Sequence, residues 1–205
     1  QITFGVLYFF VSRFAKDYKA ILAILLGAST IVIVLGILNR FLIDPIGVYE
    51  GIAEYYYLLF LSTLGQSSWY SSFLCVVLPI GVFAFWYSEK KMSQIVTGIY
   101  VLLGFMSLVT QNSDSAYLAF LGMMLVLFWF SMEEWNKTKK LVVILFLFGL
   151  AAKIIKGISL FANTSVIVQL DKLSLFLING ILPWILMIIC VLLYGWIAQL
   201  VVAVD

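Results

Sequence analysis

Apolar residues in this chain fall in long unbroken runs. They show neither the spacing of a surface helix nor the alternation of a half-buried strand. Between short polar stretches lie the runs 20–39, 70–87, 94–110, 115–132, 141–157 and 177–203, with a shorter one at 2–12. A helix needs about 20 apolar residues to cross the hydrocarbon core of a bilayer, so six runs read as full spans and 2–12 as the end of a truncated one. Membrane barrel strands alternate apolar and polar residues over about ten positions, which these runs do not. A helix also satisfies its own backbone in lipid. The pattern predicts an all-α integral membrane protein, one polytopic domain over residues 1–205, built as a bundle of about six to seven transmembrane helices.

Composition narrows the classes. Of 205 residues, 64% are hydrophobic and 11% charged, against about 45–50% and about 25% in soluble domains. A soluble enzyme, a secreted domain and a disordered chain are excluded. The net charge of +2 argues against a nucleic-acid partner. With no His among these residues, His-based catalysis and His metal sites are closed to them. Cys75 and Cys190 sit inside apolar runs and read as small buried hydrophobes. The sequence begins at Gln1 and is apolar from Ile2, so it is expected to be part of a longer protein.

Charge then orients the spans. Alternate loops hold Arg13, Lys16 and Lys19, then Lys90 and Lys91, then Lys137, Lys139 and Lys140. The remaining basic residues are Arg40, Lys153, Lys156 and Lys172. The positive-inside rule assigns the richer set to the cytoplasm. Loops 40–69, 111–114 and 158–176 are then extracytoplasmic, in a multi-pass protein of the cytoplasmic (inner) membrane. The Tyr55-Tyr56-Tyr57 run reads as interfacial, and 158–176 as a short interfacial segment of helical character.

The outer loops carry the candidate chemistry. Gln111, Asn112, Ser113, Asp114 and Ser115 place many donors and acceptors at one boundary, with Thr110 and Tyr117 within a helical turn. One reading is a capped hairpin in which Asp114 accepts from free backbone amides; the other is a substrate site. The run Leu61-Ser62-Thr63-Leu64-Gly65-Gln66-Ser67-Ser68-Trp69-Tyr70-Ser71 leads into a span. Gly65 permits a turn or a close backbone approach there. Lys153 and Lys156 share a helix face; they fit a diphosphate clamp or snorkelling towards headgroups. Arg40 and Asp44 have pair-compatible spacing if the helix continues.

Two of these features together resemble the O-antigen ligase and polymerase superfamily of bacterial membrane glycosyltransferases. In that family a Gly-Asn-x-Asn-type turn opens a span with a Leu-Pro step, and Ser62–Tyr70 followed by Leu78-Pro79 is similar. A later Thr-x-Ser-Arg-like turn resembles Thr110–Leu118, with one extra residue between Thr and Ser. The likeness covers about residues 40–135. Gln66 and Ser68 stand at the family's Asn positions, Asp114 stands where many members have Arg, and the His of the ligase branch is absent here. The resemblance implies transfer of a glycan from undecaprenyl diphosphate at the outer face, as polymerase or ligase. The acceptor is a glycan or a lipid-linked molecule, membrane lipids surround the chain, and neither metal nor other cofactor is used. On this reading Asp114, Arg40 and Glu54 are the catalytic candidates. Asn112, Ser113, Gln111, Gly65, Gln66, Lys153, Lys156 and Lys172 are the substrate-binding ones. Asp114 takes the acceptor's proton and the cations face the departing diphosphate.

The rival is a non-enzymatic membrane protein: a transporter or flippase subunit, or a scaffold. Ion-coupled transporters carry ionisable residues at mid-membrane, whereas these charges collect at boundaries; a span broken at Pro79–Gly81 would still offer a substrate site. An intramembrane protease lacks its Gly-x-Ser-x-Gly or His-Glu-x-x-His motif.

Overall fold

The computed structural model describes residue 13 and residues 17–111, 113–161 and 170–204. They form an all-α integral membrane bundle in which six helices are long and apolar enough to cross a bilayer. The expected partial span at 2–12 lies outside the described residues.

Helix α1 (Tyr18–Arg40) starts on Asp17, whose carboxylate accepts from the amides of Lys19 and Ala20 at 3.1 and 3.2 Å and so caps free donors. Helices α2 (Ser67–Tyr87), α3 (Lys91–Leu108), α4 (Asp114–Ser131) and α5 (Trp135–Phe161) match the next four apolar runs. The run at 177–203 is not one helix. A short helix α6 (Lys172–Asn179) ends before Gly180, and α7 (Leu182–Val204) starts afresh. A side chain at position 180 would collide with the Phe176 carbonyl. Pro183 then sits in the first turn of α7, where its missing N–H costs nothing.

The long α5 is the hub and packs on α2, α3, α4, α6 and α7, while α1 rests on α2 and α3. Small residues permit the approach: Gly149 of α5 abuts Met187 and the Pro183 carbonyl of α7, and Ala151 and Ala152 are fully buried. In lipid such close contact replaces the hydrophobic drive that holds soluble helices together. A triangle of rings (Phe105, Phe120 and Phe148, centroids 5.0–5.5 Å apart) joins α3, α4 and α5.

Tyrosine rungs cross-link the first three helices. The Tyr100 hydroxyl bonds Ser29 Oγ at 3.0 Å and the Val77 carbonyl at 3.1 Å. The Tyr70 hydroxyl bonds Ser107 Oγ and the Ile33 carbonyl. Each ring slots against a glycine, Tyr70 on Gly36 and Tyr100 on Gly81. Contrary to the expectation of a broken span, α2 runs continuously through Pro79; Gly81 is a seat for an aromatic ring rather than a break. The crevice beside Pro79 is apolar, lined by Leu74, Cys75, Leu78, Leu108 and Phe120 among others.

Alternation of the helices sorts the polar segments onto two ends. Residues 41–66, residues 109–111 with Ser113, and α6 share the Arg40 end, while Ser88–Lys91 and Ser131–Trp135 share the lysine-rich end.

Candidate functional site

At the Arg40 end the chain turns back on itself after α1. Arg40 is 1% exposed. A cation so placed needs charge partners in reach, and Tyr49 and Asp171 are its electrostatic neighbours. The segment is fastened by Asn39. Its Oδ1 accepts from the Ser62 amide at 2.9 Å, its Nδ2 donates to the Ile43 carbonyl at 3.2 Å, and its own carbonyl accepts from the Tyr49 hydroxyl at 2.9 Å. Ser62 takes a positive φ of 58°, and its hydroxyl donates to the Val32 carbonyl at 2.7 Å. That conformation is unfavourable for a residue with a Cβ, and the two bonds hold it.

The expected Arg40–Asp44 helical pair does not form, because α1 ends at Arg40. Asp44 instead accepts from the Tyr49 amide at 2.7 Å. Burial acts to raise this carboxyl, but the amides of Tyr49, Val48, Ile46 and Gly47 together outweigh it and hold it below the usual carboxylate range. Burial pushes the Tyr49 phenol up to about 12; Asp44 adds to the rise, Arg40 opposes it, and Tyr57, stacked on Tyr49 at 4.4 Å, adds again.

The second half of the site joins α4 to α6. Asp114 is the first residue of α4, and Ser113 occupies the cap position without a side-chain cap bond. Asp114 is therefore not the N-cap; its carboxyl interacts with the Asp171 carboxyl instead. Asp171 caps α6 by accepting from the Ser174 amide at 3.1 Å. One turn along α4, the Tyr117 hydroxyl meets Ser174 Oγ at 2.8 Å. Arg40, Asp171 and Asp114 thus run as a chain of charged groups from the buried end of α1 to the surface. Beside Asp114 opens a groove of about 440 Å³, lined by Asp114, Ser115, Tyr117, Leu118, Leu121 and Leu173.

The other sequence candidates fare differently. Gln111 is fully buried; its Oε1 accepts from Ser71 Oγ and its Nε2 donates to the Ser113 carbonyl at 2.7 Å. Gln111 is thereby a strut between α2 and the turn, and its full burial keeps it from a sugar. Ser113 and Ser115 share a hydroxyl hydrogen bond of 2.8 Å. Gly65, at φ +77°, closes the small hairpin of β1 (Phe60–Leu61) and β2 (Gly65–Gln66), and Gln66 is exposed at the start of α2. Both lie on this end of the molecule. Lys153 does not present a free clamp: its amine donates to the carbonyls of Ile178 and Gly180 at 3.1 and 2.6 Å, bracing the α6–α7 break, and lies 5.9 Å from the Trp184 ring. Lys156 is half-buried and Lys172 is exposed. Asn112 and the Glu54 side chain lie outside the described residues.

Asp171, Tyr117 and Asn39 carry more of the site than sequence reasoning assigned them. Asp171 had a usable signal, a carboxylate at the entrance of an apolar segment that suits a helix cap. The Asn39 role had none. No protein-family model, curated protein or solved structure matches this chain.

Proposed function

We propose that the chain is a membrane glycosyltransferase, or the core of one, that polymerises or ligates a glycan delivered on undecaprenyl diphosphate at the outer face of the cytoplasmic membrane. One observation carries the reading: a carboxylate, Asp114, sits at the mouth of a groove whose other wall is leucine. A sugar hydroxyl donates to such a carboxylate while a lipid tail lies against the leucines. The acceptor oxygen attacks the anomeric carbon, the bond from that carbon to the diphosphate oxygen breaks, and the hydroxyl proton passes to Asp114. The diphosphate leaves with the bonding electrons and needs cations at this end. Lys172 and Lys156 serve, since Lys153 is engaged by carbonyls and Arg40 is buried. Arg40 acts as a positioning residue through Asp171. The crevice beside Pro79 is lined by apolar residues, which supports this reading over an aqueous path there.

The test is Asp114→Asn in the complete protein, expressed in cells that lack the native copy. Glycan made per unit of membrane-inserted protein is expected to fall about 10²–10⁴-fold, the usual size of a general-base contribution. Polymer at the unmodified level, with the variant inserted normally, removes Asp114 from the reaction.

A further inference from the structure

We infer that the loop after α1 is a lipid anchor: Leu42, Ile43, Pro45 and Ile46 enter the interfacial layer of the bilayer at the Arg40 end and hold the folded-back segment 41–66 against it. Leu42, Ile43 and Ile46 are 49%, 52% and 52% exposed, and Pro45 is exposed beside them. None of the four belongs to a spanning helix, since α1 ends at Arg40. Leu42 takes a positive φ of 60°. It holds the position after the cap in a Schellman turn: the Ile43 amide donates to the Leu38 carbonyl at 3.0 Å and the Leu42 amide to the Asn39 carbonyl at 2.9 Å. Glycine is the usual occupant of that position, because a Cβ is unfavourable in the left-handed region. A leucine there works against the backbone and is half open to the surroundings, so its side chain gains most when lipid covers it.

Depth and hydrogen bonding both favour lipid as the occupant. The 23 residues of α1 make a helix of about 34 Å, which spans a hydrocarbon core of about 30 Å with little to spare. Leu42 lies two residues beyond its end, a reach of at most about 7 Å, while the headgroup layer adds about 5–7 Å on each side. The turn also folds Ile43 back onto Leu38, so the strip stays at the level of the helix end. Trp69, exposed in the first turn of α2 at the same end, is a residue type that favours the headgroup level. A segment entering that layer must satisfy its own backbone. The amides of Phe41, Leu42 and Ile43 are bonded to the last turn of α1, and Pro45 has none to satisfy. The Tyr49 amide donates to Asp44, and those of Ile46, Gly47 and Val48 turn to the same carboxylate. The Ile43 carbonyl accepts from Asn39 Nδ2. Polar groups thus point inward and apolar side chains outward. No Lys or Arg occurs from 41 to 66, so burial of apolar surface, not capture of anionic headgroups, drives the contact.

The experiment footprints the complete protein in phosphatidylcholine nanodiscs with two carbene reagents: a phosphatidylcholine bearing a diazirine near the top of its acyl chain, and a water-soluble diazirine. Mass spectrometry maps the labelled positions. Residues 42–46 are expected to take the lipid-borne label several-fold more than Glu50 and Gly51, which are exposed on the same loop; the water-borne label should show the reverse order. The double variant Leu42→Gly with Ile46→Ser keeps the backbone of the cap, since glycine adopts a positive φ freely. It should cut lipid-borne labelling of Ile43 several-fold and leave that of Leu192, an exposed leucine of α7, unchanged. Stronger labelling of 42–46 from water than from lipid would place the strip in solution. Shielding from both reagents would place it against protein, a second copy or another chain. Unchanged labelling of Ile43 in the double variant would mean that the rest of the bundle, not this strip, sets the depth. Each of these three outcomes overturns the inference. The readout is lipid contact without turnover, so it is decided separately from the proposed reaction.

Discussion

The two ends of the bundle carry similar kinds of residue and use them in opposite ways. At the lysine-rich end the charges are solvated. Lys137 pairs with Glu134 at 2.8 Å, with side chains 28% and 58% exposed, and lies 5.4 Å from the Trp86 ring. Lys140 reaches the Ser88 carbonyl at 2.6 Å. At the Arg40 end Arg40, Asn39, Ser62 and Gln111 are each no more than 1% exposed. Burying polar groups is costly unless each finds a partner. Exposed charge suffices to anchor and orient a span, so the ordered, buried polar groups of the Arg40 end answer some further requirement, and a substrate site is the one the groove suggests.

The largest effect should come from Arg40. Arg40→Met leaves Asp171 without its cation. Removing one member of a buried charged set costs about 3–5 kcal/mol, and the thermal midpoint of the detergent-solubilised protein should drop accordingly. An unchanged midpoint would mean that this end is no more tightly built than the other. Asn39→Ala comes next. It strips the Ser62 amide and the Ile43 carbonyl of their partners, and an unsatisfied buried group costs about 1–3 kcal/mol. Hydrogen exchange should rise first over residues 41–66. Exchange that rises instead at Ser131–Trp135 would contradict the assignment of Asn39 as the fastener of this end.

Acid provides a gentler probe of the same segment. Asp44 is held below its ordinary value by backbone amides that act against burial. A depressed carboxyl contributes stability that is present above its unfolded value, about 3.9, and is lost as pH falls through its folded value. Protection of the amides at 46–49 should therefore weaken below about pH 4 and not in the neutral range. In Asp44→Asn that acid step should vanish; an identical step in the variant would assign it to another carboxyl.

How much of this was legible in the sequence follows from distance along the chain. The six spans were visible because each is a long local run of one kind of residue, and the sorting of loops onto two ends followed from alternation. Gly65 announced its turn, since only its own φ was at issue. The division of 177–203 was hidden: the stretch reads as one span, and the break at Gly180 is braced by Lys153 arriving from α5 to hold the carbonyls of Ile178 and Gly180. The same reason converted Lys153 from a clamp into a brace. Asp114 looked like a helix cap because Asp usually is one locally, yet its partner is Asp171, 57 positions away. Asn39 and Gln111 read as ordinary polar residues near span ends; only Ser62 and Ser71, brought in by the folded-back loop and by α2, reveal them as joints.

The smallest effect belongs to Lys137 and completes the contrast. Its bond to Glu134, at 2.8 Å, is as short as several at this end, and by distance alone it would rank with the contacts around Arg40. Exposure reverses the ranking. Two long side chains lose rotamer freedom to meet in water, and salt screens the attraction that remains. The ring of Trp86 is itself fixed by its indole bond to Ser131 Oγ at 2.8 Å, so it stays in place without the lysine above it. Lys137→Gln should therefore leave the thermal midpoint unchanged within error at physiological ionic strength, and glycan output unchanged as well. A fall approaching that of Asn39→Ala would show that short distance, not burial, sets the energetic value of polar contacts in this bundle, and the contrast between its ends would lose its physical basis.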